Sequence, residues 1–339
     1  MSSRLTAKLP LPLLITGIAG VAGYNALQYF RVRHGEQVFG IRQRDNWPLA
    51  GPGIVACDLE DPVELRRLFD EYEFATVLNC AGNCALRACE LDPRLAWRTN
   101  VEGLTNLLSV CVEREIRLVH LSIDLVFSGA SGRGGYVETD LTDPVTVYGK
   151  TMVASERLIL DWMPAACVLR ISLPMGVSFN GHAGAIDWIQ SRFKKGRPAT
   201  LYFDEIRTPT YCDCLNPAFE QLLTTGHAGL YHAGGPRRLS LYEIAQVINR
   251  IGGYDPKLLM GCPRAEAGPI PPRAGNVALN STKLAETLRA QAFDPWPYDE
   301  ALVPTHRDWH FARGPERGSP RLLAEVLYRH PHKRHDAVA

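Results

Sequence analysis

Three evenly spaced glycines stand in the run Leu14-Ile-Thr-Gly17-Ile-Ala-Gly20-Val-Ala-Gly23, which passes from an apolar stretch into a helical one. Each has a physical task. The first lets the chain turn tightly, the second lets backbone approach a pyrophosphate, and the third lets the helix pack close to a sheet with its amino terminus toward the phosphates. Glycine triplets also serve ordinary turns; the strand before, the helix after and the place at the first βα turn give this one its meaning. Gly17, Ala19, Gly20, Val21 and Gly23 are therefore the expected cradle of a dinucleotide. At the end of the next strand the chain reads Phe39-Gly-Ile-Arg42-Gln-Arg44. A carboxylate there would hold a ribose 2′-hydroxyl, whereas arginine forks onto a 2′-phosphate, so Arg42 points to NADP(H) rather than NAD(H). The plainer alternative is a pair of solvated arginines at a strand end. Asp58 and Leu59, past the third strand, are placed to border the adenine.

The elements that must position these residues alternate in a βα rhythm, the signature of a parallel sheet covered on both faces. Strands are expected at Leu13 to Thr16, Gln37 to Ile41, Gly53 to Cys57, Thr76 to Asn79, Leu118 to Ser122 and Cys167 to Ile171. Helical patterns lie near Val21 to Val32, Pro62 to Glu71, Pro93 to Arg114 and Val145 to Met163. Two open with an acid and a proline, Asp61-Pro62 and Asp92-Pro93. The fold class is thus α/β, a Rossmann-type doubly wound sheet over residues 11–172, with later segments returning to it. From 173 to 305 prolines and glycines interrupt the rhythm, which implies a smaller substrate lobe over the carboxyl ends of the strands. Residues 306–339 form a basic, His-rich tail ending in His330-Pro-His-Lys-Arg-His335.

Composition narrows the partners. The 339 residues, at about 150 per domain, suggest roughly two domains, and 46% hydrophobic with 22% charged residues suffices for a substantial core. A net charge of +1 gives no footprint for nucleic acid or an anionic bilayer. The apolar run from Leu9 to Ile15 is broken by Pro10 and Pro12 and is far shorter than the roughly 20 residues of a membrane span. Nine cysteines, several in stretches that read as buried, fit reduced thiols and a cytoplasmic location. The pairs Cys84/Cys89 and Cys212/Cys214 lack zinc-knuckle spacing, and no metal is expected.

Several stretches in order resemble the extended short-chain dehydrogenase/reductase family, and within it the dTDP-4-dehydrorhamnose reductases. Besides the glycine turn these are Asn79-Cys80-Ala81-Gly82, Asn100-Val-Glu-Gly, Ser122-Ile-Asp-Leu-Val-Phe127, Tyr148-Gly-Lys-Thr, Arg207-Thr-Pro-Thr-Tyr211 and Tyr231-His-Ala-Gly-Gly-Pro236. The resemblance implies hydride transfer from a nicotinamide to the carbonyl of a nucleotide-linked 4-keto-6-deoxy sugar. It implies Tyr148 as proton donor, Cys80, Ala81, Gly82, Asn100 and Tyr148 beside the cofactor, and Asp124 at the sugar. Arg207 could pair with a ligand phosphate or with an acidic neighbour, Asp204 or Glu205.

Two positions depart from that pattern. The family lysine four residues after the tyrosine is Met152 here, and Lys150, about 200° further round a helix, points away from Tyr148. The family threonine that polarises the carbonyl is Ile123, leaving Ser122 as the nearest hydroxyl. An unassisted phenol, with a pKa of about 10, is poorly matched to proton transfer at neutral pH. Two readings follow: a reductase with altered assistance, or a dinucleotide-binding regulatory or scaffold subunit with a protein partner. A homodimer through the helices around Leu104 and Val153 is expected by analogy alone. Asp140 and Asp143 are expected to cap the Tyr148 helix, and Trp188 to pack in a core.

Overall fold

A computed structural model describes residues 8–181, 184–289, 293–313 and 318–328. Seven parallel strands form the central sheet: β1 Leu13–Ile15, β2 Val38–Arg42, β3 Ile54–Ala56, β4 Thr76–Asn79, β5 Arg117–Ile123, β6 Cys167–Ile171 and β7 Gly229–Ala233. Their order across the sheet is β7-β6-β5-β4-β1-β2-β3. Alternation decides which helices cover which face. Leu13 and Ile15 pack into one core with Leu27, Phe30 and Phe219, while Leu14 between them packs into the other with Leu65, Phe69 and Leu107. The sheet is thus buried on both sides, as a Rossmann-type α/β sheet must be.

The chain runs from the central β1 outward to β3 at one edge and then crosses back to β4 on the other side of β1. Leu13 pairs with Val38 of β2 and with Thr76 of β4. This reversal opens a crevice beyond the carboxyl ends of β1 and β4, where open α/β sheets take their ligands. The segments that reach it are Gly17 to Gly23 and Cys80 to Gly82.

Local chemistry starts the helices where the acid and proline signals fall. Asp61 accepts from the backbone N–H of Val63 (3.1 Å) and Glu64 (3.0 Å) and caps α2, Pro62–Tyr72, the helix after α1, Val21–His34. Asp92 does the same for Leu95 at 3.0 Å. Such caps contribute about 1 kcal/mol each. The stretch expected as one helix from Pro93 to Arg114 is interrupted by a π turn at Arg98–Glu102, and regular helix resumes at α3, Gly103–Glu113. The helix that carries Tyr148, α4, is Val147–Trp162.

The second core joins α5, Ala185–Lys194, and α6, Leu241–Ile251, with a parallel pair of strands, Ala199–Tyr202 and Leu259–Cys262. Residues 306–313 and 318–328 belong to this core rather than to a tail. Trp309, Leu323 and Leu327 are buried in it, and Ser319 caps the helix Pro320–Leu327. The apolar spacing of that helix outweighs the basic composition around it. The histidines from His330 onward lie outside the described residues. No helix among those described is long and apolar enough to cross a membrane.

Candidate active site

Gly17 has φ +63°, and a Cβ on it would lie 2.3 Å from the Cys80 carbonyl oxygen. On Gly23 a Cβ would meet the Gly17 carbonyl oxygen at 2.4 Å. Both glycines are required by the protein's own packing. Gly20 is not, since its nearest contact would be an ordinary 3.4 Å, so the space in front of it remains for a ligand. Gly20 is also the N-cap of α1, which has no side-chain cap and no acidic residue in its first turn. Backbone N–H groups and the helix dipole there favour an anion. These features fit a dinucleotide pyrophosphate.

Thr16 fastens the two walls of the crevice. Its hydroxyl donates to Asn79 Oδ1 at 2.5 Å and accepts from the backbone N–H of Cys80 and Ala81, both at 3.1 Å. Asn79 in turn donates to Nδ1 of the buried His120 at 2.8 Å. Ala19, Cys80 and Ala81 are partly buried beside the turn, Val21 is buried and Gly82 is exposed. Asn100, within the π turn, accepts from Asn83 N–H at 2.6 Å and donates to Thr151 Oγ1 of α4 at 2.8 Å, tying the loop after β4 to the tyrosine helix.

At the end of β2 the two arginines differ. Arg44 pairs with Glu64 and, at 3.7 Å, with Asp61. Arg42 has no carboxylate within ion-pair distance among the described residues; it donates to the carbonyls of Gln43 and Arg44 at 2.9 and 3.1 Å. Asp58 accepts from the Arg44 N–H at 3.1 Å, and Leu59 is buried in the core under α2 and α3.

Tyr148 lies in the first turn of α4, 8% exposed, in an apolar cluster with Leu125, Val126, Phe127 and Met152. Thr146 caps this helix by accepting from Gly149 N–H at 2.9 Å, and Glu90 accepts from Val147 N–H at 2.6 Å. Asp140 and Asp143, expected as the caps, bind Val137 and Ser128 instead, because both lie in the loop that folds back on Phe127. Burial pushes the Tyr148 phenol well above its usual range, with Cys84, Asp124 and Cys89 adding to the rise and Arg207 opposing it. Lys150 is exposed, on the far side of the helix.

Ser122, the hydroxyl nearest to Ile123, is engaged elsewhere. On a strand it faces away from Ile123, and its hydroxyl donates to Glu156, which forms a buried bidentate pair with Arg170 at 2.8 and 2.7 Å. Asp124 and Arg207, both expected at a substrate, hold each other. Arg207 Nε donates to Asp124 at 2.6 Å and a second guanidinium nitrogen donates to its other oxygen, while Ser172 Oγ donates to Asp124 at 2.6 Å. Glu205 stands 3.8 Å from Arg207 and 2.6 Å from Arg273, and Asp204 turns away to Arg264. Trp188, expected in a core, is 49% exposed with Arg192 5.5 Å above its ring.

A model of the RmlD substrate binding domain matches residues 11–304. The chain belongs to this family. A dTDP-4-keto-6-deoxy-D-glucose reductase of Streptomyces niveus is 29% identical over 266 residues, 77% of this chain and 86% of its own length. Methionine adenosyltransferase 2 subunit beta of Xenopus laevis is 26% identical over 238 residues, 68% of this chain and 69% of its own. The dTDP-4-dehydrorhamnose reductase of Bacillus anthracis str. Ames, solved in complex with NADP, has a TM-score of 0.71 at 19% identity, covering 86% of this chain and 96% of that one, a likeness of fold.

Within the RmlD family match lie the glycine turn, Tyr148 and Arg207; Trp309 and the helix Pro320–Leu327, which complete the lobe, lie beyond it. The bonds that Thr16, Glu156, Arg170 and Arg273 make here are not evident from the sequence, although it carries one signal. A single charge inside an apolar strand, as in Val168-Leu-Arg170-Ile, demands a buried partner.

Proposed function

We propose that this chain is an NADP(H)-binding, dTDP-4-dehydrorhamnose reductase-like protein that reduces the carbonyl of a nucleotide-linked 4-keto-6-deoxy sugar. The observation that carries the reading is the buried phenol of Tyr148, carried on a helix that Asn100 ties to the loop of the nucleotide crevice. Gly17 to Gly23 would hold the pyrophosphate, Arg42 the 2′-phosphate, and Cys80 to Gly82 the next part of the cofactor. The bound cofactor supplies hydride. Tyr148 gives the sugar oxygen its proton, and Leu125, Val126 and Phe127 exclude water from the phenol's ring.

A second reading, a regulatory or scaffold subunit without turnover, is favoured by Met152 and Ile123, which put two apolar groups where the resemblance implies a lysine and a threonine. The kinship with methionine adenosyltransferase 2 subunit beta is compatible with it. One experiment separates the two. NADPH is titrated into the purified protein by fluorescence, dTDP-4-keto-6-deoxyhexose is added, and NADPH absorbance is followed. Oxidation supports the reductase; saturable binding without oxidation supports the subunit; absence of binding removes both.

A further inference from the structure

The lobe presents two further guanidinium groups to a space of their own. In the strand Ile206–Arg207 neighbouring side chains face opposite ways, so while Arg207 turns to Asp124, Ile206 lines a recess of about 430 Å³ on the other side. Phe203, Arg238, Tyr242, His306 and Arg307 line it as well. His306 and Arg307 follow the end of the family match at residue 304. Their backbone is fixed from α6: Tyr242 Oη donates to the Arg307 carbonyl at 3.0 Å, and Gln246 Nε2 donates to the carbonyls of His306 and Arg307 at 3.0 and 2.8 Å. The Arg307 guanidinium lies 4.2 Å from the centre of the Phe203 ring, which packs edge to face with Tyr242 at 4.8 Å. Arg238 rests on the loop after β5 and donates to the Arg133 carbonyl at 3.2 Å.

Neither Arg238 nor Arg307 has a carboxylate within ion-pair distance among the described residues, although both are held in place by their neighbours. The adjacent Arg237 shows the contrast, paired with Glu300 at 2.6 Å. Glu243, the one carboxylate lining the recess, accepts from Ser240 N–H and Oγ at 2.7 and 2.9 Å and closes the cap of α6. Two like charges held at one concave surface repel each other until an anion lies between them. Forks already held in place lose little freedom on binding, and a phosphate has oxygens enough for two guanidinium groups at once, where one fills a carboxylate. The volume leaves room for a small body beside the phosphate. We propose that this recess binds a phosphate group, free or carried by a small molecule, through Arg238 and Arg307, at a site apart from the nucleotide crevice. Such a site requires neither turnover nor a bound dinucleotide.

The test is calorimetric titration of the full chain with inorganic phosphate and with a hexose 1-phosphate, the unphosphorylated hexose serving as control. Both phosphates are expected to bind saturably and the hexose not at all. Arg238→Met and Arg307→Met should each weaken phosphate about tenfold, and the double variant should abolish binding. Arg307→Lys, which keeps the charge and loses the fork, should fall between Arg307→Met and the unmodified chain. Both side chains are exposed, so the variants should melt with the unmodified chain. Gly20→Ala, which alters the nucleotide crevice alone, should leave phosphate binding unchanged. A hexose phosphate held more tightly than inorganic phosphate makes the ligand an ester, and equal affinities make it the free ion; either upholds the site. Phosphate binding that survives in the double variant or disappears in Gly20→Ala, a hexose that binds as tightly as its phosphate, or no saturation up to about 10 mM overturns the proposal.

Discussion

Met152 stands one helical turn beyond Tyr148, 4% exposed, in the same apolar cluster as the phenol, and Ile123 packs against that cluster from the end of β5. The helix places residue 152 on the tyrosine's face, so a lysine there would have been aimed at the cleft. Met152 therefore puts an apolar group at the position where the resemblance implies a cation. Met152→Lys combined with Ile123→Thr should raise NADPH oxidation by about 10²–10⁴-fold, the usual worth of general acid and base assistance. A stopped assay with dTDP-4-keto-6-deoxyhexose checks it. No gain in a folded, NADPH-binding variant would place the deficit elsewhere.

The two arginines after β2 should separate in a binding assay. Arg42→Ala is expected to weaken NADPH about tenfold or more while leaving NADH unchanged, because a 2′-phosphate is the group an unpaired guanidinium there would hold. Arg44→Ala should change NADPH affinity little, since that side chain is already committed to Glu64 and Asp61. Fluorescence titration of both variants with both nucleotides decides this.

Gly17→Ala combines a left-handed backbone with a Cβ inside the Cys80 carbonyl. It should destabilise by more than about 1 kcal/mol and abolish saturable NADPH binding. Gly20→Ala, with room for its Cβ in the protein alone, should leave the melting temperature near that of the unmodified chain and weaken only nucleotide binding.

Ser122→Ala tests whether this hydroxyl is structural. Removing the donor from a buried carboxylate should cost about 1–3 kcal/mol, read as a lower urea midpoint. The rate of NADPH oxidation per folded molecule should not change. A selective loss of rate would return Ser122 to the catalytic machinery.

Two buried histidines set an acid limit. Burial pulls His120 down to about 4, and burial together with Arg170 does the same for His232. Unfolded histidine takes its proton near pH 6.5, so between about pH 6.5 and 4 the unfolded chain binds more protons. The stabilising contribution is full above pH 6.5 and is lost as pH falls toward 4, on the order of 3 kcal/mol per histidine. Urea unfolding at pH 7.0 and about pH 4.5 should show the fall, and His120→Asn should reduce it.

Much of the sheet was legible because its signals are local. Thr76–Asn79 and Cys167–Ile171 are short, fully buried runs, each carrying β-branched or apolar residues at its centre, and Asp61-Pro62 names its own helix start. Gly17 and Gly23 were legible for the same reason. What stayed hidden depends on partners distant in sequence. Ser122 and Glu156 are 34 residues apart, Asp124 and Arg207 are 83 apart, and neither spacing carries a period. The interruption of the helix at Arg98–Glu102 was equally silent, since a π turn adds a residue without changing the residue types around it. The near part of the expected tail was misread from its charge, because Leu323 and Leu327 say more about packing than the arginines say about solvent.

β7 enters the sheet only after the chain has built part of the lobe, so the two cores are interleaved along the sequence. A fragment ending at residue 172 would leave β6, five buried residues with its backbone edge bare, as the outermost strand. Such an edge recruits other chains. The nucleotide-binding half should therefore resist expression as a separate soluble piece, and any opening of the cleft has to bend several connections at once.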